Sequence, residues 1–458
     1  MATPDRRQRH SVRLGHAGSK GRRDFGVNTR LNKLKSSNGQ IQHNLRHLRV
    51  FLTVVNTNSV TNAAEACHLS QPAVTQALTK IERALQSKLL TRTPQGIFTT
   101  SYGDILAKRV RRAFAYLDPA LDDLSPRLRM LTTTSQLRAL IAVREAQNFT
   151  LAAKKLGLAQ PTVHRAVTQF EEEAGRPLFD RTSFGITATK AANTLAQAAR
   201  LALAELTQAE ADLADANEQE VGKIVIGAMP LSRSFVLPRA IANFRKHRPT
   251  TPIQILEGPY ADLLGGLRRG EIDFLIGAMR EPAPIGDVEQ RVLFDDTIVV
   301  VAGKNHPLLK GGTPTAEQLA AYPWVVGQVG TPIRKHFESM FMELGRQPPS
   351  IVESSSLILM RELLDRTDHL GCVSFLQAQA EISRGLLRAL PLDLEHTSRP
   401  IGLTLRADWL PTAAQQLFLD LVEQTGKEPI ISSHSMVEAS TSETYDTDCN
   451  QKPKVRHE

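Results

Sequence analysis

Residues 69–78 read LSQPAVTQAL, and residues 158–167 read LAQPTVHRAV. Sliding the chain by 89 positions aligns Leu48–Thr100 with Leu137–Thr189 without a gap. Roughly a third of the aligned positions are identical, which marks an internal duplication of a unit of about 55–60 residues. Whatever one copy folds into, the other must repeat. The apolar pattern says what that is. In copy one, Leu48, Phe51, Leu52, Val54 and Val55 fall mostly at helical spacing. Thr61 or Asn62 then opens a short helix with Ala63, Ala64 and Cys67. Leu69 and Ser70 close a turn, and Pro72 takes the first position of a third helix, where its missing N–H costs nothing. That helix carries Val74, Ala77, Leu78, Ile81 and Leu85. Copy two repeats the plan with Leu137, Leu140, Ile141, Ala152, Ala153, Leu156, Leu158, Pro161, Val163, Val167 and Phe170.

Short helices crossing at paired alanines, a tight turn and a third helix with a polar outer face make a helix-turn-helix. Beside Ser70 and Pro72 of the turn, copy one points Gln71, Ala73, Thr75, Gln76, Thr79 and Lys80 outward. Copy two points Gln160, Thr162, His164, Arg165, Thr168 and Gln169 outward. Amides, hydroxyls, an imidazole and cations are the groups that hydrogen-bond to base edges and phosphates in a major groove. Each third helix is followed by a hairpin sequence, RTPQGIFTT at 92–100 and RTSFGITAT at 181–189. Gly96 or Gly185 supplies the turn, and Arg92 or Arg181 can meet a phosphate. An ordinary helical hairpin whose polar residues only face water is the competing reading, weakened by two copies agreeing at the same positions.

These motifs resemble the winged helix-turn-helix of LysR-type transcriptional regulators. Copy one carries the pattern in Leu48, Phe51, the stretch SVTNAA at 59–64, LSQPAVTQAL, Glu82, Arg92, Thr100 and Gly103. The resemblance runs from about residue 45 to about residue 425, and a second winged domain departs from the family plan. Copy one has Gln86 and Leu90 where the family has Gly and Phe. Copy two keeps Gly175, Leu178 and Phe179 but has Ala159, His164 and Ala192, and it carries Glu171, Glu172 and Glu173, which would repel phosphates. Copy one is therefore expected to be the primary DNA reader. Copy two is either a second reader of altered specificity or a structural relic, with His164 and Arg165 favouring DNA contact.

After copy one, Ile105, Leu106, Val110, Phe114, Leu117, Leu121 and Leu124 recur at three- and four-residue steps. After copy two, Leu195, Ala199, Leu203, Leu206 and Leu213 do the same in a stretch without Gly or Pro. The narrow second stripe predicts a dimerisation seam, as the family resemblance also implies. From Val221 the texture becomes alternating strands and helices, predicting two α/β lobes with parallel sheets, joined by crossing strands around a cleft. This half resembles the effector-binding domain of the same regulators, itself similar to periplasmic binding proteins. Ser232, Arg233 and Ser234 at one helix start, Thr331 at another, and Ser354 and Ser355 at a third are the effector candidates, with helix caps as their plainer role.

The expected organisation is a multidomain chain. It has a disordered basic arm (1–44), winged helix-turn-helix copy one (45–103), a linker helix (104–131), copy two (132–190), a long linker or dimerisation helix (191–220), a two-lobed domain (221–426) and a disordered tail (427–458). The arm holds ten Lys or Arg against two acids over residues 1–40, in a chain whose net charge is +9. It reads either as a phosphate-attracting segment or as a solvated tail. Cys67, Cys372 and Cys449 lie far apart, and no run of apolar residues is long enough to span a membrane. Neither a phosphate-cradling loop, a nucleophile elbow nor an HExxH zinc motif occurs, so no enzyme, metal or cofactor is expected.

The resemblance implies a cytoplasmic, ligand-responsive regulator of catabolic genes. Its expected partners are double-stranded DNA, a carboxylate or sugar effector, further copies of itself as a homodimer or homotetramer, and RNA polymerase. The alternative is a small-molecule binding protein whose helical half serves only oligomerisation.

Overall fold

The computed structural model describes residues 44–183, 185–280, 286–342 and 346–428. The basic arm and the tail lie outside the described residues, apart from Asn44, Lys427 and Glu428. Copy one folds as α1 (Leu45–Thr57), α2 (Val60–Ala66), α3 (Gln71–Leu85) and the hairpin β1 (Leu90–Thr93) and β2 (Gly96–Thr99). Ser59, not Thr61 or Asn62, opens α2: its hydroxyl accepts the Asn62 N–H. The αL conformation of Asn58 frees the chain to turn there. Ser70 caps α3 and accepts the Ala73 N–H, so Pro72 is the second helical residue rather than the first. Its missing N–H has no intrahelical acceptor at either position.

The long helix α4 (Ser101–Asp122) and a single turn, α5 (Leu128–Leu131), lead to copy two. Copy two comprises α6 (Thr134–Ala146), α7 (Phe149–Leu156), α8 (Gln160–Ala174), β3 (Phe179–Thr182) and β4 (Gly185–Ala188). The second long helix, α9 (Lys190–Asp215), follows. Ala63, Ala64, Ala152 and Ala153 are all buried at the helix crossings, where only small side chains let the axes approach closely. The duplication extends to hydrogen bonds. Glu82 Oε1 accepts the N–H groups of Leu89 and Leu90 at 3.0 and 3.4 Å, and Glu171 Oε1 accepts those of Leu178 and Phe179 at 2.7 and 3.1 Å. Each wing is thereby tied to its third helix. Glu171 is turned to the backbone rather than outward, which corrects the expectation that it repels phosphates.

Helices α4 and α9 pack antiparallel. The Tyr102 hydroxyl at the start of α4 donates to Asn217 Oδ1 just beyond the end of α9 (2.8 Å), and further along, Arg112 Nε donates to Glu205 Oε1 (2.9 Å). The same repeat positions are buried in both: Leu106 and Leu195, Ala107 and Ala196, Val110 and Ala199, Ala113 and Ala202, Leu117 and Leu206, Ala120 and Ala209. The expected dimerisation seam is therefore corrected. The stripe of α9 is covered by α4 of the same chain, because the first copy brings its own long helix to the second.

The remainder forms two lobes. Lobe I is built on β5 (Ile224–Ala228), β6 (Ile253–Leu256), β7 (Phe274–Ala278), β8 (Val288–Asp296) and β14 (Arg399–Arg406), in the order β6-β5-β7-β14-β8. Its helices are α10 (Pro230–Ser234), α11 (Val236–His247), α12 (Tyr260–Arg268) and the last helix, α17 (Ala413–Gly426). Lobe II is built on β9 (Ile298–Ala302), β10 (Trp324–Val326), β11 (Ile351–Glu353), β12 (Leu370–Ser374) and β13 (Arg388–Ala389), in the order β11-β10-β12-β9-β13. Its helices are α13 (Ala316–Ala320), α14 (Pro332–Met342), α15 (Leu357–Arg366) and α16 (Phe375–Ser383). The sheets are mixed rather than parallel, since β14 runs antiparallel to β7 and β8, and β9 runs antiparallel to β12 and β13. The last strand, β14, belongs to lobe I, so the chain crosses between lobes twice, after β8 and before β14.

Lobe I docks on the connector pair. Arg109 Nη1 donates to the Leu410 carbonyl (2.9 Å), Arg112 donates to that of Asp408, Gln197 Nε2 donates to that of Arg268 (2.5 Å), and Arg200 pairs with Glu271.

Candidate functional site

On α3 the side chains of Gln71, Pro72, Gln76 and Lys80 are exposed, and Ala73 and Thr75 are half-buried. Ser70 is spent on the cap. Gln71 Nε2 donates to Thr61 Oγ1 (3.1 Å), which orients the amide at the mouth of a groove between α3 and the wing. Thr75, Gln76 and Arg92 line the same groove. His47 has its pKa lowered, first by burial and then by Lys80 and Arg46, a sign of positive potential along this side.

On α8, Gln160, Thr162 and Arg165 are exposed. His164 is half-buried. Its ring lies 4.9 Å from that of Phe149, and Nδ1 is 3.4 Å from Thr168 Oγ1. The imidazole therefore packs within the domain more than it faces outward. Ala159 gives α8 no side-chain cap. Arg92 on β1 and Arg181 on β3 are both exposed, and among the described residues neither forms an ion pair.

The second candidate site is a cavity of about 340 Å³ between the lobes. Lobe I lines it with Met229, Arg233, Tyr260 and Arg280; lobe II with Thr331, Ser354, Ser355, Ser374 and Gln377; Arg399 stands at the crossing. Of the six expected residues, Arg233, Thr331, Ser354 and Ser355 reach the cavity. Ser232 is wholly buried, and its hydroxyl donates to the Met229 carbonyl (2.7 Å). Ser234 is exposed and does not line the cavity. Helix α10 has only five residues, so its hydroxyls turn with a phase the sequence does not define.

Four buried donors without partners converge here: Arg233 Nε, Tyr260 Oη, and Arg399 Nε and Nη1. A buried polar atom left unpaired costs about 1–3 kcal/mol, so such a cluster in a cavity calls for ordered water or a ligand to satisfy it. Arg399 Nη2 donates to Asp296 Oδ2 (2.9 Å), and both side chains are more than nine-tenths buried. Burial raises the Asp296 pKa against the opposing pull of Arg399, and burial lowers that of Arg399. The Arg280 guanidinium lies 4.6 Å from the Tyr260 ring centre and, among the described residues, has no acidic partner. Tyr260, Arg280, Gln377 and Arg399 carried no sequence signal of their own, since each comes from a different segment.

Comparison with known proteins identifies both halves. Residues 45–104 and 134–193 each match the bacterial regulatory helix-turn-helix protein, lysR family, and residues 217–427 match the LysR substrate binding domain. The HTH-type transcriptional regulator GalR of Pseudomonas putida is 33% identical over 385 residues, which is 83% of this chain and 97% of that protein. A match of that length within 458 residues includes all of copy two and enters copy one. The HTH-type transcriptional regulator PcaQ of Agrobacterium fabrum is 25% identical over 293 residues, 64% of this chain and 94% of that protein. The full-length LysG structure from Corynebacterium glutamicum with bound effector Arg covers 66% of this chain and 100% of its own, at 20% identity and a TM-score of 0.47.

Proposed function

The chain belongs to the LysR family of transcriptional regulators, and from that premise we propose that it binds duplex DNA through α3 and α8 and senses a small organic acid between its lobes. It is a DNA-binding transcriptional regulator with an effector domain, and the oligomerisation-only alternative is not favoured. The proposed base-reading residues are Gln71, Thr75 and Gln76 in copy one, and Gln160, Thr162 and Arg165 in copy two. Arg92, Arg181 and Lys80 are the proposed phosphate contacts.

For the effector, one observation favours a carboxylate over a sugar: Arg399 turns two unpaired donors toward the cavity between the lobes. Arg280 adds a cation without an acidic partner among the described residues. A carboxylate accepts charge-assisted hydrogen bonds from such guanidinium groups, which a neutral sugar matches less well. Tyr260, Met229, Leu357 and Met360 give the cavity an apolar wall for the body of the acid. Control of catabolic genes fits an inducer of this kind, and further copies of the chain and RNA polymerase are proposed partners.

Calorimetric titration of the full chain with a panel of benzoates and aliphatic dicarboxylates, each beside its methyl ester, tests the reading. Acids should bind and esters should not, and Arg399→Gln should abolish the difference. Tight binding of neutral sugars with the acids inert would overturn it. Footprinting at stated salt tests the DNA half.

A further inference from the structure

We infer that a single chain reads both halves of a DNA site, and that the two halves lie in inverted orientation and differ in base sequence. The inference rests on the DNA-binding reading above and goes beyond it.

The connector helices carry the argument. Thr100 caps α4 and Thr189 caps α9, accepting the N–H groups of Gly103 (3.1 Å) and Ala192 (3.2 Å). In each copy the wing-end residue also donates its N–H to the carbonyl before the wing, Thr100 to Leu89 and Thr189 to Leu178, both at 2.9 Å. Each reader is thus fixed to the first turn of its own long helix. Because α4 and α9 run antiparallel, the readers go to opposite ends of the pair.

The contacts also obey the repeat. Exchanging a pair through the 89-residue offset returns a pair at the same level, and the exchange centres near Phe114 and Leu203, which share one core. The tandem repeat in sequence therefore becomes a pseudo-two-fold in space. Readers related by a two-fold meet half-sites in inverted orientation. About 13 residues separate the centre from each helix start, which at ~1.5 Å per residue places the two attachment points about 39 Å apart. That span is comparable with the ~34–36 Å between major-groove faces one turn apart.

The two readers do not carry the same side chains. Through the offset, Gln76 of copy one corresponds to Arg165 of copy two, and Lys80 corresponds to Gln169. Gln76, Arg165, Lys80 and Gln169 are all exposed. Glutamine pairs with the N6 and N7 edge of adenine, and arginine with O6 and N7 of guanine. The half-site under copy one takes adenine at that level, and the half-site under copy two takes guanine.

The test uses the full chain and a duplex selected by it from a random pool. The expected result is an inverted, asymmetric pair of half-sites, with native mass spectrometry giving two half-sites per chain however many chains assemble. Gln76→Ala should erase the base preference in one half-site only and Arg165→Ala in the other, each weakening binding by about 5- to 150-fold. An equimolar mixture of these two variants should bind no better than either alone, because intact readers sit on different chains. A direct repeat, one half-site per chain, recovery of affinity on mixing, or both variants altering the same half-site would overturn the inference. Absence of any specific DNA binding would instead remove the reading on which it rests.

Discussion

Replacing Arg109 by Met should loosen the joint between the connector pair and lobe I. The Arg109 side chain is 1% exposed. Its Nε donates to Asp212 (2.7 Å), and its Nη1 donates to Glu205, Gln208 and the Leu410 carbonyl, each at 2.9 Å. Removing one partner of a buried ion pair costs about 3–5 kcal/mol, because the charge left behind has lost its compensation. Two features place this case near the lower end. Glu205 keeps Arg112 Nε at 2.9 Å, and Asp212 is partly exposed, so water or a proton can reach it. The Asp212 pKa is already raised by burial against the pull of Arg109, and losing the guanidinium raises it further. The expected loss is about 3 kcal/mol. It would be read as a lower urea midpoint for the first unfolding transition, followed by tryptophan fluorescence in a Trp324→Phe background that leaves Trp409 of the docked loop as the reporter. The exposed Arg127, which forms no ion pair among the described residues, is the control: Arg127→Met should move the midpoint by less than about 0.5 kcal/mol equivalent. Adding Asp212→Leu to Arg109→Met should recover part of the loss, since an apolar pair in place of a buried ionic one is tolerated. Equal midpoints for Arg109→Met and Arg127→Met would refute the reasoning.

Three further outcomes follow from the same geometry. Asp273 is buried beneath β5, where it accepts the Val225 N–H at 2.7 Å, and burial pushes its pKa from 3.8 up to about 6. A raised pKa in the folded state means that this group's contribution to stability is full at low pH and is lost as pH rises from about 4 to 6, by about 3 kcal/mol; Asp273→Asn should remove that contribution from the slope in pH-dependent urea titrations. Gly103 packs so that an added Cβ would overlap the Leu89 carbonyl oxygen, although copy two has Ala192 there, so Gly103→Ala should destabilise copy one by about 1–3 kcal/mol in chemical denaturation. Ala159→Ser should supply the missing cap of α8 and stabilise copy two by about 1 kcal/mol, matched by a similar loss for Ser70→Ala, both measured as shifts in hydrogen-exchange protection of the respective third helix.

The parts of the fold written in short-range pattern were readable from the sequence. The duplication, the alanine crossings, the glycine turns of the wings and the strand–helix alternation of the lobes all lie within windows of a few tens of residues. What an apolar stripe meets is not local information. The stripe of α9 announced burial, and only the structure shows α4 as the partner. Arg109 stands in the basic run RVRR, yet it shares a helix face with Leu106, Val110 and Ala113. A cation placed in such a stripe was the available signal. The cavity fared similarly, since Tyr260, Arg280, Gln377 and Arg399 come from four separated segments. Arg399 stands in the stretch HTSRP, which has no recognisable strand periodicity. A β-bulge between Ile401 and Gly402 further disturbs the alternation of the strand that follows.

The inferred pseudo-two-fold is also broken where the connector pair meets lobe I, and that break offers a route from the cavity to the readers. The offset twin of Arg109 is Ala198, which makes no matching contacts, and the chain carries one LysR substrate binding domain beside two helix-turn-helix units. Strand β14 starts at Arg399 in the cavity and runs into the loop whose carbonyls at Asp408, Leu410 and Pro411 accept from Arg112 and Arg109. The same Arg109 guanidinium holds Glu205 and Asp212 of α9. In the proposed reading, a ligand that draws on Arg399 acts where β14 leaves the lobe crossing, and displacement of the loop at the other end strains the Arg109 and Arg112 contacts that join it to α4 and α9. Since each reader is fixed to the start of one of those helices, the proposed change would act on the distance and angle between the readers rather than on the fold of either. Duplex DNA with fixed half-site spacing is the ligand that discriminates between such arrangements, which is the differential affinity that coupling between two sites requires.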